Sequence, residues 1–173
     1  MPEEIDIIAQ EIGGKIRFFR KLSQFYMFFF DGRNNSVNRS VIDVYNATSE
    51  NEYKVMLYMN VQDYAHYQNC ENTYWGFLRH YDTLSSLELH NRDNPIEILM
   101  INLMASFLDS REKWGLFTGI SSRPLMSVAL KALFTKIPLK DTAELSRRLK
   151  LSKEDFRIMK LYNMMAVTGY GDF

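Results

Sequence analysis

The chain is poor in the features that hold small secreted domains together or mark common enzymes. Its 173 residues include one Cys, three His, four Pro and eight Gly. One thiol excludes a disulfide framework within a monomer, which fits a reducing compartment and the expectation of a cytoplasmic protein. No uncharged apolar run reaches the roughly 18 residues that a membrane-spanning helix needs. The amino terminus, Met1-Pro2-Glu3-Glu4, is acidic where a signal peptide would be basic, and no membrane contact is expected. Repeats, low-complexity tracts and long Ser/Gly/Pro linkers are also missing, so the length fits one domain or two small ones. A Walker loop, a GxGxxG after a strand, GxSxG, HExxH and a kinase set are not found. The expectation is therefore a protein that is not an enzyme and that uses no cofactor.

Net charge is absent too, with 21 Lys/Arg against 21 Asp/Glu, but the balance is global and not local. Residues 1–110 hold nine basic and fifteen acidic side chains, whereas residues 111–173 hold twelve and six. Local charge, rather than the total, sets the field that a nearby polyanion feels. This divides the chain into an acidic, aromatic-rich part (1–110) and a basic part (111–173), which could still share one domain.

What the chain does have is apolar residues, 46% of the total, in patterns that predict mostly helix. Ser49 with Glu52, Asn94 with Glu97, Asp141 with Glu144 and Ser152 with Asp155 each place a short polar cap three residues before an acid, as at a helix start. Tyr53, Met56, Leu57, Val61 and Tyr64 return at three and four residues. Asn94-Pro95 opens an apolar run from Ile96 to Leu108 that reads as a buried central helix. Further helices are predicted in the first twelve residues, over about 72–84 and over about 124–137. The fold class expected is mostly α, a compact helical bundle with a tri-helical unit at its C-terminal end. The alternative is α+β with a small meander within 24–60, where Phe25 to Phe30 and Val41 to Tyr45 can be strands and Asp31-Gly32 a turn.

The segment from Leu125 to Gly169 carries the main functional expectation. A helix with Val128, Leu130, Leu133 and Phe134 would lead through Ile137-Pro138-Leu139 into a second helix with Leu145 and Leu149. Lys150-Leu151-Ser152 would turn the chain into a third helix bearing Phe156, Met159 and Tyr162. This pattern resembles a helix-turn-helix, in a winged-helix-like setting, with Lys150 standing where that family usually places glycine. The resemblance implies a DNA-binding unit whose third helix enters a groove, with Arg147, Arg148, Lys150, Ser152, Lys153, Arg157 and Lys160 as its contacts.

Other residues invite separate readings. His66, Cys70, His80 and His90 lie within 25 residues and could ligate a metal, although their spacing matches no recognised zinc module. The aromatic-rich first part, including Phe18, Phe25, Tyr64, Tyr67 and Trp75, suits core packing or a protein interface. Tyr170 and Phe173, in a Gly-containing tail, could dock on a partner; the last two residues resemble the acidic aromatic tails of single-stranded-DNA-binding proteins. Residues 94–120, with Ile101-Asn102-Leu103 and Trp114-Gly115, resemble helical segments of the small replication accessory proteins of T4-type phages. Lys113-Trp114-Gly115 is also similar to the aromatic-glycine turn of poxviral Bcl-2-like inhibitors. These readings imply a non-catalytic accessory or regulatory protein. It would bind DNA or another nucleic acid through its basic part and a protein partner, or itself, through its first part. The alternative is a pure protein-interaction module.

Overall fold

The computed structural model describes residues 7–12, 14–82, 84–104, 111–122, 125–152, 156–159 and 164–167. Strands dominate it: β1 (Ile7–Ile12), β2 (Lys15–Asp31), β3 (Ser36–Ser49), β4 (Glu52–Met59), β5 (Asn72–His80), β6 (Leu84–Asn91), β7 (Ile98–Met104), β8 (Glu112–Ser122), β9 (Leu125–Thr135), β10 (Phe156–Met159) and β11 (Met164–Val167). A 3-10 turn spans Tyr64–His66, and the α-helix of the described residues is α1 (Ala143–Leu149). Strands β2 to β9 pair antiparallel in chain order, and β9 returns to β2, which closes an eight-stranded up-and-down barrel. β1 pairs with the first part of β2 as a hairpin arm, and β10 pairs with β11 in a separate two-stranded sheet.

Alternation along the strands sets the inside. Met27 and Phe29, Ile42 and Val44, Val55 and Leu57, Leu87 and Leu89, Leu99 and Ile101, and Phe117, Ala132 and Phe134 form one buried cluster. Rings meet inside the bore: Phe29 stacks on Phe117 at 5.5 Å, and Phe25 tilts against Phe134 on the adjoining strand at 6.2 Å. The space at Gly115 and Gly119 is taken up by neighbours, since a Cβ there would lie 2.5 Å from Leu103 Cδ2 or 2.6 Å from Leu99 Cδ2. Where these side chains meet, the bore is packed core. An apolar interior is the reverse of a membrane-spanning barrel, whose apolar side chains point outward; none of the described helices is long and apolar enough to cross a membrane.

The closing seam is short, with Tyr26, Met27 and Phe28 opposite Thr135, Phe134 and Leu133. α1 lies over it from outside and buries Leu145 and Leu149 against Phe28 and Leu133. The loop 60–71 covers a neighbouring part of the outer wall, where Tyr64 and Tyr67 pack on Tyr26, Val41 and Tyr58. Tyr67 clamps that loop by donating to the buried Asp43 carboxylate at 2.8 Å, while Lys21 Nζ donates to the Tyr67 hydroxyl at 3.2 Å.

This barrel overturns the expected helical bundle and the helix-turn-helix. Residues 53–59, 72–80 and 98–104 are β4, β5 and β7. The first and third helices of the supposed motif are replaced by β9 and by β10, and its middle helix alone is present, as α1. Residues 94–120, which carried the likeness to phage accessory proteins and to Bcl-2-like inhibitors, supply β7 and most of β8, so neither helical likeness holds. Strands do run through 24–60, but as barrel wall and not as a meander beside helices. The cap-like Ser49 and Glu52 face each other across a tight hairpin turn in which Asn51 takes a φ of 63°. Asp141 was the expected cap of the second helix; Thr142 fills that place, its hydroxyl accepting from Leu145 N.

Candidate nucleic-acid interface

Chemistry on the outer wall concentrates where α1 meets β8 and β9. Leu145 and Leu149 point α1 inward, which leaves Arg147 on its exposed side. The two neighbouring cations lean to opposite flanks of the helix. Arg148 lies over the Trp114 ring at 5.7 Å and donates from Nη2 to Glu112 Oε2 at 2.8 Å. Lys150 sits over Phe30 at 4.8 Å. From β9, Lys131 reaches the same Trp114 at 5.3 Å, so one indole is bracketed by two cations. Lys136 and Lys140 are exposed on the connection between β9 and α1.

Charge over this stretch is lopsided: residues 111–152 hold nine Lys/Arg against three Asp/Glu, and one of the three, Glu112, pairs with Arg148. Such an arrangement can hold a polyanion by delocalised phosphate contact through its exposed cations, whereas Lys131 is buried against Trp114. It provides no groove-reading helix, since α1 has seven residues and is fastened to the seam.

The structure places Arg147 and Arg148 on α1 and Lys150 at its C-cap, with Ser152 exposed just beyond. Arg157 falls in β10. Lys153, Lys160, Tyr170 and Phe173 lie outside the described residues. Lys150 does not need the left-handed backbone that a helix-turn-helix turn would impose, since its φ of −67° and ψ of 140° are extended. Trp114, Lys131, Lys136 and Lys140 join the site without having been singled out. Their signal was the base-rich composition after residue 110, whereas Trp114 had been read as part of a turn.

The histidines and the cysteine are dispersed. His66 hydrogen bonds Asp63 in the 60–71 loop, and Cys70 Sγ donates to Asn72 O at 3.1 Å. His80 lies beside Ser85, while His90 stacks on Trp75, five residues and ~17 Å of strand away. Among the described residues no group of three or more His, Cys, Asp or Glu could hold a metal.

A second cluster occupies the outer wall of β4 to β6. Lys54 is fully buried, its Nζ 4.4 Å from the Trp75 ring and 5.4 Å from Phe77, with no hydrogen-bond partner. Burial pushes its pKa down to about 8. His90 stacks on Trp75 at 5.3 Å, and Arg79 links Glu52 and Glu88. Within the barrel mouth, burial pushes the Tyr74 hydroxyl up to about 12, and it donates to Glu97 at 3.0 Å.

Comparison with known protein families, with curated proteins and with solved structures finds no match to this chain.

Proposed function

We propose that this protein is a non-catalytic accessory protein that associates with nucleic acid through the base-rich side of its barrel. The observation that carries the reading is the exposed set Lys136, Lys140, Arg147 and Lys150 on α1 and the segments flanking it, beside Arg148 over Trp114. Binding rests on phosphate neutralisation and is sequence-tolerant, because phosphate contacts position a protein without reading bases. The packed bore supports placing this role on the outer wall.

Reversing Arg147 and Lys140 to Glu tests it while sparing the ring-packed Arg148 and Lys150. Fluorescence anisotropy with labelled duplex and single-stranded DNA should show weaker binding of both, by a similar factor. Unchanged affinity in the double variant would reject the interface.

Protein interaction is a second reading, favoured by Ile98, Met100 and Ile120, which stand exposed side by side on the outer wall.

A further inference from the structure

The first part of β2 belongs to the hairpin arm. Lys15 to Arg20 pair with β1, whereas β3 joins β2 only from Lys21 onward, and a tight turn closes the arm where Gly14 takes a φ of 76°. Within the acidic first part of the chain this stretch stands out in sign. Lys15, Arg17, Arg20 and Lys21 are four of the nine Lys/Arg of residues 1–110, and no Asp or Glu falls between residues 12 and 30. β1 contributes one acid, Glu11, opposite Ile16.

The charge is available at individual side chains. Lys15 and Arg20 are exposed, and neither forms an ion pair among the described residues. Lys21, by contrast, is half-buried beside Tyr67 and Asp43. Phe18 is 69% exposed. Alternate residues share a strand face, so Phe18 stands beside Arg20, while Phe19 on the opposite face is buried. An open aromatic face next to exposed cations is what a single-stranded polyanion with unpaired bases can use.

β2 also joins the arm to the base-rich interface. Its Tyr26 faces Thr135, which directly precedes Lys136, and its Phe30 lies under Lys150. At about 3.3 Å per residue, Arg20 lies ~20 Å and Lys15 ~36 Å along the strand from Tyr26. Exposed cations therefore recur along β2 from Lys150 through Lys136 and Arg20 to Lys15.

We infer that the β1–β2 arm is a second contact for nucleic acid, in which Lys15 and Arg20 meet phosphates and Phe18 stacks on an unpaired base, so that single strands are held more tightly than duplex. The inference rests on the nucleic-acid reading and adds a base-contacting group to it, since the Trp114 ring beside α1 is taken up by Lys131 and Arg148. Stacking on Phe18 is as sequence-tolerant as phosphate contact, because every base has a π-face.

Fluorescence anisotropy on the full chain tests it, with a labelled single strand of about 20 nucleotides and the matching duplex. Phe18→Leu keeps apolar bulk and loses the ring; it should weaken single-strand binding about tenfold and duplex binding little, and Phe18→Trp should retain wild-type affinity. Lys15→Gln with Arg20→Gln should weaken binding of both ligands and make affinity fall less steeply with salt. Circular dichroism spectra should match the wild type, because all three side chains are exposed. Should Phe18→Leu disturb the fold, the Lys15 and Arg20 pair carries the test. Wild-type single-strand affinity in either correctly folded variant overturns the inference; if Arg147→Glu with Lys140→Glu still weakens binding, the nucleic-acid reading stands. A wild type that binds neither ligand overturns both.

Discussion

Lys54 is the residue whose environment is least comfortable. Its ammonium is buried, has aromatic faces for company and makes no hydrogen bond. The neighbouring ionisable side chains, Glu52 on β4 and Arg79, Glu88 and His90 on β5 and β6, are engaged with one another. The folded pKa, about 8, lies below the ordinary 10.5, so between those values the unfolded chain binds more protons than the folded one. Stability from this group therefore rises with pH across that window, and below pH 8 the charged form costs about 3 kcal/mol. Lys54→Met should be more stable than wild type at pH 7 by a sizeable part of that amount, with the gap closing toward pH 10. Urea melts at the two pH values measure it, and a less stable variant at pH 7 would show that the ring contacts outweigh the burial. Gly76 presents the opposite constraint, because a Cβ there would fall 1.8 Å from the Glu88 carbonyl oxygen on β6. Gly76→Ala should cost about 1–3 kcal/mol or more through forced backbone movement, seen as a lower melting temperature.

Among the elements, α1 holds the barrel shut, since the seam beneath it has only three facing pairs. Leu149→Ala empties the contact with Phe28 and Leu133 and should cost about 2–5 kcal/mol. It should also speed amide hydrogen exchange at the seam residues Met27, Phe28 and Leu133. Arg148→Ala removes an exposed ion pair and a ring contact, worth about 1 kcal/mol, and should leave seam exchange nearly unchanged. The same covering explains why the strands were hard to read. Phe25 to Phe30 are all apolar because alternate residues face the bore while Tyr26, Phe28 and Phe30 lie under α1 and the 60–71 loop, which erases the period of two. On β7 the outward Ile98 and Met100 are apolar as well, so the segment reads as an all-round apolar helix. α1 itself was legible because it is amphipathic and capped, with one buried face at Leu145 and Leu149. Of the candidate interface, its cations were visible as composition. Trp114 was not, because only the pairing of β8 with β9 and the docking of α1 set it between Lys131 and Arg148.

At the scale of the whole molecule, the acid-rich stretch 50–97 and the base-rich stretch 111–152 fall on different strands of one barrel, with uncharged β7 between them. Under the proposed function a polyanion is drawn to the exposed cations on α1 and the segments flanking it. That attraction is measured directly by the affinity of the wild-type protein for labelled duplex and single-stranded DNA at 50 and 200 mM salt. If about four phosphates are neutralised, affinity should fall about 100-fold across that range. Binding that ignores salt, or no binding at the lower concentration, would contradict the account.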